Sequence, residues 1–416
     1  MKRILSLLAA LALCLCLIVP AAAADSPAGA ADAASAGLKF KNGAFKIIHV
    51  SDTQEFLLSS PITQEFLYEL AEKEKPDLFI LTGDNTSTGG ASGFPAFIAK
   101  LLVKSGVDSL MRVFDRIYKD FGIPMTMVFG NHDNEVGPDK VTRAEHFAMY
   151  AAHPSFIGYY VEAADKGTGK DDEQGDHYGT HNILVKNSAG TAPAFNLWMF
   201  DTGSYDPAGG YSCVQPQQIA WFEAENAKTG NLPSFAFQHI IVPEIYDELT
   251  PGAEGAENTF TRDFVIGGAN VKKTISSTLP TGVKGTLREA PCPGQHNQGQ
   301  YAALSSANVL AMFFGHDHVN TFELELDGKP DLVNSPCSGF GSYGDIDLRG
   351  VRVIDLKEDM TYTSKVFTYQ TYYSYTPNVL RDTRLAMYQE IGAAAQILDW
   401  FSFSPLFWLM GLLKLA

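Results

Sequence analysis

"FKIIHVSDTQEF", Phe45 to Phe56, decides the fold class. Its apolar half has the composition of a buried strand, and it ends in an aspartate, Asp52, at the strand's carboxyl edge. The same pattern recurs downstream. "DLFILTGD" closes on Asp84, and "PMTMVFGNHD" closes on Asn131, His132 and Asp133. Between these runs lie helical stretches, Thr63 to Lys75 (stopped by Pro76) and Phe94 to Phe121. Alternating strands and helices of this length predict α/β layers with right-handed crossovers.

The second half is richer in strands. "HNILVKN", "FNLWMFDTG", "SFAFQHI", "VLAMFFGHDH" and "GVRVIDL" are short, apolar and bounded by turn residues. Two long polar stretches, Gly167 to Thr180 and Glu244 to Gln300, read as surface insertions.

The ends differ from this body. Residues 1–24 have a basic start (Lys2, Arg3), an apolar run and an Ala-rich close, the pattern of a signal peptide cleaved after Ala24. The alternative is an uncleaved anchor. The residue before Cys14 is too large for lipoprotein processing. Residues 25–42 are rich in Ala, Ser and Gly and read as a flexible linker. The expected organisation is then a main folded domain over 43–375 and a helical, apolar tail over 376–416. The uncharged core of the tail, Trp400 to Leu413, is shorter than the roughly 20 residues of a spanning helix and contains Pro405. Its aromatic and Leu content suits membrane association as well as docking on the parent domain or a partner subunit.

Charge and cysteine content exclude several classes. Without residues 1–24 the chain keeps 29 basic against 47 acidic residues, about −18. Such a surface repels phosphate backbones, so nucleic acid is not expected as the main partner. Cys213, Cys292 and Cys337 allow one disulfide at most, and no cysteine pair has zinc-finger spacing.

The chemistry gathers at strand ends: "SDTQ" (Asp52, Gln54), "TGDN" (Asp84), "GNHD" (Asn131, His132, Asp133), "FQHI" (His239) and "GHDH" (His316, His318). In open α/β sheets the loops beyond the strands' carboxyl ends form the ligand crevice. Carboxylate oxygen with imidazole nitrogen suits Mn, Zn or Fe. One carboxylate, Asp84 by position, can bridge two divalent ions about 4 Å apart, whose charge holds a phosphate. The glycines before Asp84, Asn131 and His316 are expected to allow tight turns. His49 is expected to be a hydrogen-bonded core histidine, and His146, His153, His177, His181 and His296 to lie on the surface or in loops. Phe222, three residues after Ile219 and beside Trp221, has the helical spacing of a core residue. The loop Ser338 to Asp345, "SGFGSYGD", is either a phosphate-lining turn or a plain glycine-rich one.

In their order, these motifs resemble the calcineurin-like metallophosphoesterases, with the signature D-x-H, G-D, G-N-H-[DE], H, G-H-x-H. "FNLWMFDTGSYD", "FQHIIVPE", "FFGHDHVN" and "YGDIDLRGVRVIDL" look like the single-domain branch related to purple acid phosphatases. The resemblance spans about residues 43–370. It implies two mixed sheets packed as a sandwich between helices, a four-layer α/β/β/α fold. It further implies a two-metal phosphoesterase site with a metal-bridging hydroxide, and with the leader the reading is a secreted phosphomonoesterase. The alternatives are a phosphodiesterase of nucleotides or lipid head groups, and a non-catalytic metal- and phosphate-binding protein. Carried over residue by residue, Asp52, Asp84 and His318, with Gln54, hold the first metal. Asp84, Asn131, His239 and His316 hold the second. His132 contacts the phosphate or protonates the leaving oxygen, and Asp133 orients its ring. The chain departs from the pattern twice. Ser87 replaces the tyrosine of the purple enzymes three residues after Asp84, and Gln54 replaces a histidine. Gln54 then ligates weakly through its amide oxygen or leaves the place to water.

Overall fold

The computed structural model describes residues 37–57, 59–165, 177–256, 258–265, 272–373 and 379–391, with Ala395 and Asp399. The leader (1–24), most of the linker, residues 167–176 of the first insertion and residues 400–416 lie outside the described residues.

In the first half, strands β1 (Ala44–Val50), β2 (Leu78–Thr82) and β3 (Met125–Val128) run parallel, separated by helices α1 (Pro61–Glu74) and α2 (Ala96–Phe121). Helix α1 starts on Pro61, whose fixed φ suits a first turn, and ends on Lys75 in the left-handed conformation. Helix α2 ends on Gly122, whose N–H caps the Tyr118 carbonyl. Helix α3 (Arg143–Ala151) opens on a capping box between Thr142 and Glu145. Strands β4 (His181–Lys186), β5 (Pro193–Phe200) and β6 (Ser234–Gln238) follow, with α4 (Pro216–Lys228) between the last two.

The second insertion contains a small sheet of its own, β7 (Thr250–Pro251), β8 (Thr259–Val265) and β9 (Lys272–Thr278), paired antiparallel. It is not the uniform loop its polar composition predicts, because Thr-rich alternation supports pairing as well as apolar alternation does. Helix α5 (Gln300–Ser305) leads into β10 (Val309–Phe314), β11 (Glu323–Leu324) and β12 (Asp331–Asn334). Strands β13 (Gly350–Lys357) and β14 (Tyr362–Thr368) and helix α6 (Val379–Ile391) complete the described chain.

These strands form two mixed sheets, β14-β13-β1-β2-β3 and β11-β12-β10-β6-β5-β4. Period-two alternation explains the layers. Ile47, Ile80, Phe235, Phe237 and Phe313 point between the sheets and share one core. Ile48, Phe79 and Leu81 point outward onto α1, α2 and α3. Trp198, Ala236 and Met312 point outward from the other sheet onto Trp221 and Phe222 of α4 and Leu304 of α5. The fold is the four-layer α/β/β/α sandwich. Each fully buried Phe in the middle layer contributes about 1.5–3 kcal/mol.

Two polar groups cross that apolar middle. His49 on β1 is fully buried and bonded to Thr82 Oγ1 at 2.6 Å and Ser335 Oγ at 2.8 Å. Arg352 on β13 reaches the second sheet, donating to Glu323 and to the carbonyls of Thr321 and Asn334 at 2.9 and 2.7 Å. A buried guanidinium is tolerable only with its donors satisfied in this way.

Candidate metal centre

Parallel β1, β2 and β3 of one sheet and β6 and β10 of the other deliver their carboxyl ends to the same edge. There Asp52, Gln54, Asp84, Asn131, His239, His316 and His318 are all buried. The sharp exits cost strain, since Asp52, Gln54, Asp84 and His316 themselves have positive φ (54°, 45°, 48° and 68°). Of the preceding glycines only Gly83 has positive φ. Gly130 and Gly315 serve close approach instead. A Cβ on Gly130 would lie 2.3 Å from Asp84 Oδ1, and one on Gly315 1.7 Å from Ser51 Oγ.

Two donor groups emerge that share one carboxylate. Single atoms of Asp52, Asp84 and His318 lie within 4.8 Å of one another, as do atoms of Asp84, His239 and His316. His239 Nε2 is 3.3 Å from Asp84 Oδ2 and 3.2 Å from Asn131 Oδ1. His318 Nε2 is 3.2 Å from Asp52 Oδ1.

Backbone carbonyls orient the imidazoles. His239 Nδ1 donates to Thr82 O, and His318 Nδ1 to Tyr343 O, each at 2.8 Å. Each ring therefore turns its other nitrogen, Nε2, inward among carboxylate and amide oxygens. His316 Nε2 is buried and makes no hydrogen bond. In the neutral rings these nitrogens are acceptors facing other acceptors, a buried arrangement that favours a bound cation. The donor set thus fits two metal ions.

The electrostatics agree in sign. Burial lowers the His239 pKa, but the charges of Asp84 and Asp52 overcome it and push it up to about 10. His316 is driven down to about 3, by burial first and then by its charged neighbour His239.

Gln54 reaches the first donor group, its amide nitrogen 3.2 Å from Asp84 Oδ2 and 3.4 Å from His318 Nε2. A half-turn of that amide exchanges its nitrogen for its oxygen. His132 is at the rim, one-third exposed, with Nε2 3.9 Å from Asp84 Oδ2.

Asp133 requires a correction. It does not touch the His132 ring but turns inward, accepting from the N–H groups of Gly130, Asn85 and Thr86 and from Thr86 Oγ1 at 2.8–3.2 Å. It organises the two loops. The ring is held instead by Glu135, whose Oε1 accepts from His132 Nδ1 at 2.7 Å. Residues 132–134 form one 3-10 turn, which carries the chain on to Glu135 and brings its carboxylate back onto His132.

The rim has further residues that the motifs do not announce. Tyr205 OH meets Asn131 Nδ2 at 3.1 Å and Glu135 Oε1 at 3.0 Å. The Tyr211 ring stands edge-on to His316, centroids 4.2 Å apart, and Tyr343 stacks on His318 at the same distance. The single legible signal was that "GSYD" follows a strand end on the ligand edge.

The loop Ser338–Asp345 spends the N–H groups of Ser338 and Gly339 on the carbonyls of Ser51 and Asp52. It is a buttress under the first ligand loop, and a Cβ on Gly339 would lie 2.0 Å from Thr53 O.

Other histidines stay out of the centre. His146 on α3 and His181 on β4 are buried, against the expectation of surface or loop, while His177 lies in a loop, though buried. His181 bonds Thr126 Oγ1 and Gly179 O, and His177 bonds Cys213 O. Cys213 and Cys337 form no disulfide among the described residues.

Residues 45–320 match the family model described as calcineurin-like phosphoesterase. The chain belongs to that family. It is 26% identical over 363 residues to "Probable inactive purple acid phosphatase 14" of Arabidopsis thaliana, with 77% of each chain covered. It is 22% identical over 316 residues to "Phosphatase DCR2" of Saccharomyces cerevisiae, covering 70% of this chain and 47% of that relative. A solved dimetal phosphatase from Danio rerio is 11% identical with a TM-score of 0.45, covering 78% of this chain and 99% of that one. Membership in the calcineurin-like phosphoesterases supports a phosphoesterase function, a phosphate-ester substrate and two metal ions.

Proposed function

We propose that this calcineurin-like phosphoesterase is an extracytoplasmic phosphomonoesterase. The observation that carries the catalytic reading is the pair of donor groups sharing Asp84, with a partly exposed histidine beside them. Asp52, Gln54, Asp84 and His318 hold one ion, and Asp84, Asn131, His239 and His316 hold the other. The mixed oxygen and nitrogen set favours Mn, Zn or Fe. When bound, two such ions supply the positive charge that holds a phosphoryl group and favours deprotonation of water near neutral pH.

The chain's own residues then handle orientation and protons. His132 donates a proton from Nε2 to the leaving oxygen, while its Nδ1–H stays with Glu135. The apolar leader with its Ala-rich close supports export.

A second reading is a metal- and phosphate-binding protein without turnover, favoured by the word "inactive" in the names of three relatives. The test is hydrolysis of p-nitrophenyl phosphate against bis(p-nitrophenyl) phosphate, with Mn or Zn added to purified protein. Faster turnover of the monoester is expected. Faster turnover of the diester supports the diesterase reading, and no turnover with both ions bound leaves the binding protein.

A further inference from the structure

Glu135 and Tyr205 come from separate loops and meet over the same two site residues. Glu135 Oε1 accepts from His132 Nδ1 at 2.7 Å and from Tyr205 OH at 3.0 Å. Tyr205 OH in turn accepts from Asn131 Nδ2 at 3.1 Å. An amide is nearly symmetric in shape, so which end faces the ion depends on what its nitrogen can donate to. With its nitrogen on Tyr205, Asn131 presents Oδ1 toward His239 Nε2, 3.2 Å away on the second-ion side.

The Tyr205 loop is itself held firmly. Arg143 of α3 donates to Asp201 at 2.8 and 3.0 Å and to Ser204 Oγ at 2.7 Å. Tyr205 stacks on Tyr211, ring centroids 5.7 Å apart, and Tyr211 covers His316.

We propose that Glu135 and Tyr205 form a positioning clamp. One carboxylate fixes the His132 ring directly and, through the Tyr205 hydroxyl, fixes the Asn131 amide with its oxygen toward the second ion. The pair acts through Asn131 and His132, with which its hydrogen bonds are made. It sets the orientation of two groups that do, so it couples occupancy of the second metal position to the placement of the proton donor. This rests on the metal-centre reading above.

The variants are Tyr205→Phe, Glu135→Ala and Glu135→Gln in the full chain. The phenylalanine keeps the ring stack of a half-exposed residue, and glutamine keeps an acceptor oxygen. Metal-free protein is titrated with Mn²⁺ by calorimetry, and kcat and KM for p-nitrophenyl phosphate are measured alongside. Removing a partner that orients a metal ligand typically weakens affinity about 10–100-fold. Tyr205→Phe should therefore weaken the second Mn²⁺ by at least about tenfold and leave the first unchanged. Glu135→Ala should do the same and also lower kcat with little change in KM. Glu135→Gln should restore most of the Mn²⁺ affinity. Equal affinities in wild type and Tyr205→Phe overturn the clamp while leaving the metal centre intact. If wild type binds no Mn²⁺ or Zn²⁺, the centre and the clamp fall together. A lower Tm in the variants with both Mn²⁺ affinities unchanged reduces the pair to a structural contact and also overturns the proposal.

Discussion

At the scale of the residue, Gln54 is the position where the donor set can be improved. Its φ of 45° lies in the left-handed region that histidine tolerates better than most side chains. Its amide already lies between Asp84 and His318. Gln54→His should tighten the first ion by about tenfold, because imidazole nitrogen is the softer and stronger donor. Competition with a chromophoric chelator measures this, and unchanged affinity would show that Gln54 is not placed to ligate. The residues at this edge were legible because Asp, Asn and His after an apolar strand serve little packing purpose. Asp133 and Glu135 were not separable by the same logic. Both are carboxylates close behind His132, and only the 3-10 turn over residues 132–134 decides which one returns to the ring.

At the scale of the element, helices and strands followed from apolar periodicity and stop signals, and Pro61, Pro76 and Gly122 stand close to where α1 and α2 begin or end. Pairing between distant segments was not legible. The join between α2 and the segment after α3 is an example. His153 Nδ1 donates to Asp115 at 2.7 Å, and His153 Nε2 is 3.4 Å from Asp108, which also holds Lys104. Burial lowers the His153 pKa, but hydrogen bonds to Asp108 and Asp115 raise it above the ordinary histidine value. A folded pKa raised in this way adds stability that is complete below about pH 6.5, the unfolded value. That contribution is lost as pH rises through the folded value. His153→Gln should therefore cost about 1–2 kcal/mol at pH 6 and less at pH 9, read from urea unfolding at each pH. A cost independent of pH would mean that the ring is not held as a cation.

At the scale of the whole molecule, the donors are divided between sheets. Asp52, Asp84 and Asn131 follow strands of one sheet, and His239, His316 and His318 follow strands of the other. Ions bound there act as a cross-link in addition to Arg352, so chelation should destabilise the entire sandwich. An ion present at about a hundred times its Kd contributes about 2.7 kcal/mol, which is several degrees in Tm. An identical Tm with and without EDTA would show that the donors hold no ion under those conditions.

The C-terminal helix enters the same account. Among the described residues no helix is long and apolar enough to cross a membrane, and α6 packs into the first core through Leu385 and Tyr388. Arg384 pairs with Glu65 and Asp399, and Tyr388 OH meets Ser60 Oγ, 328 positions away in sequence. Ser60 N in turn donates to Glu55, the neighbour of Gln54. The first ligand loop therefore receives its outer brace from a helix 328 positions further along the chain. A truncated product ending before Val379 has every donor of the centre but lacks this brace. Premature termination should loosen the contacts of Glu55 and Ser60 that Tyr388 braces.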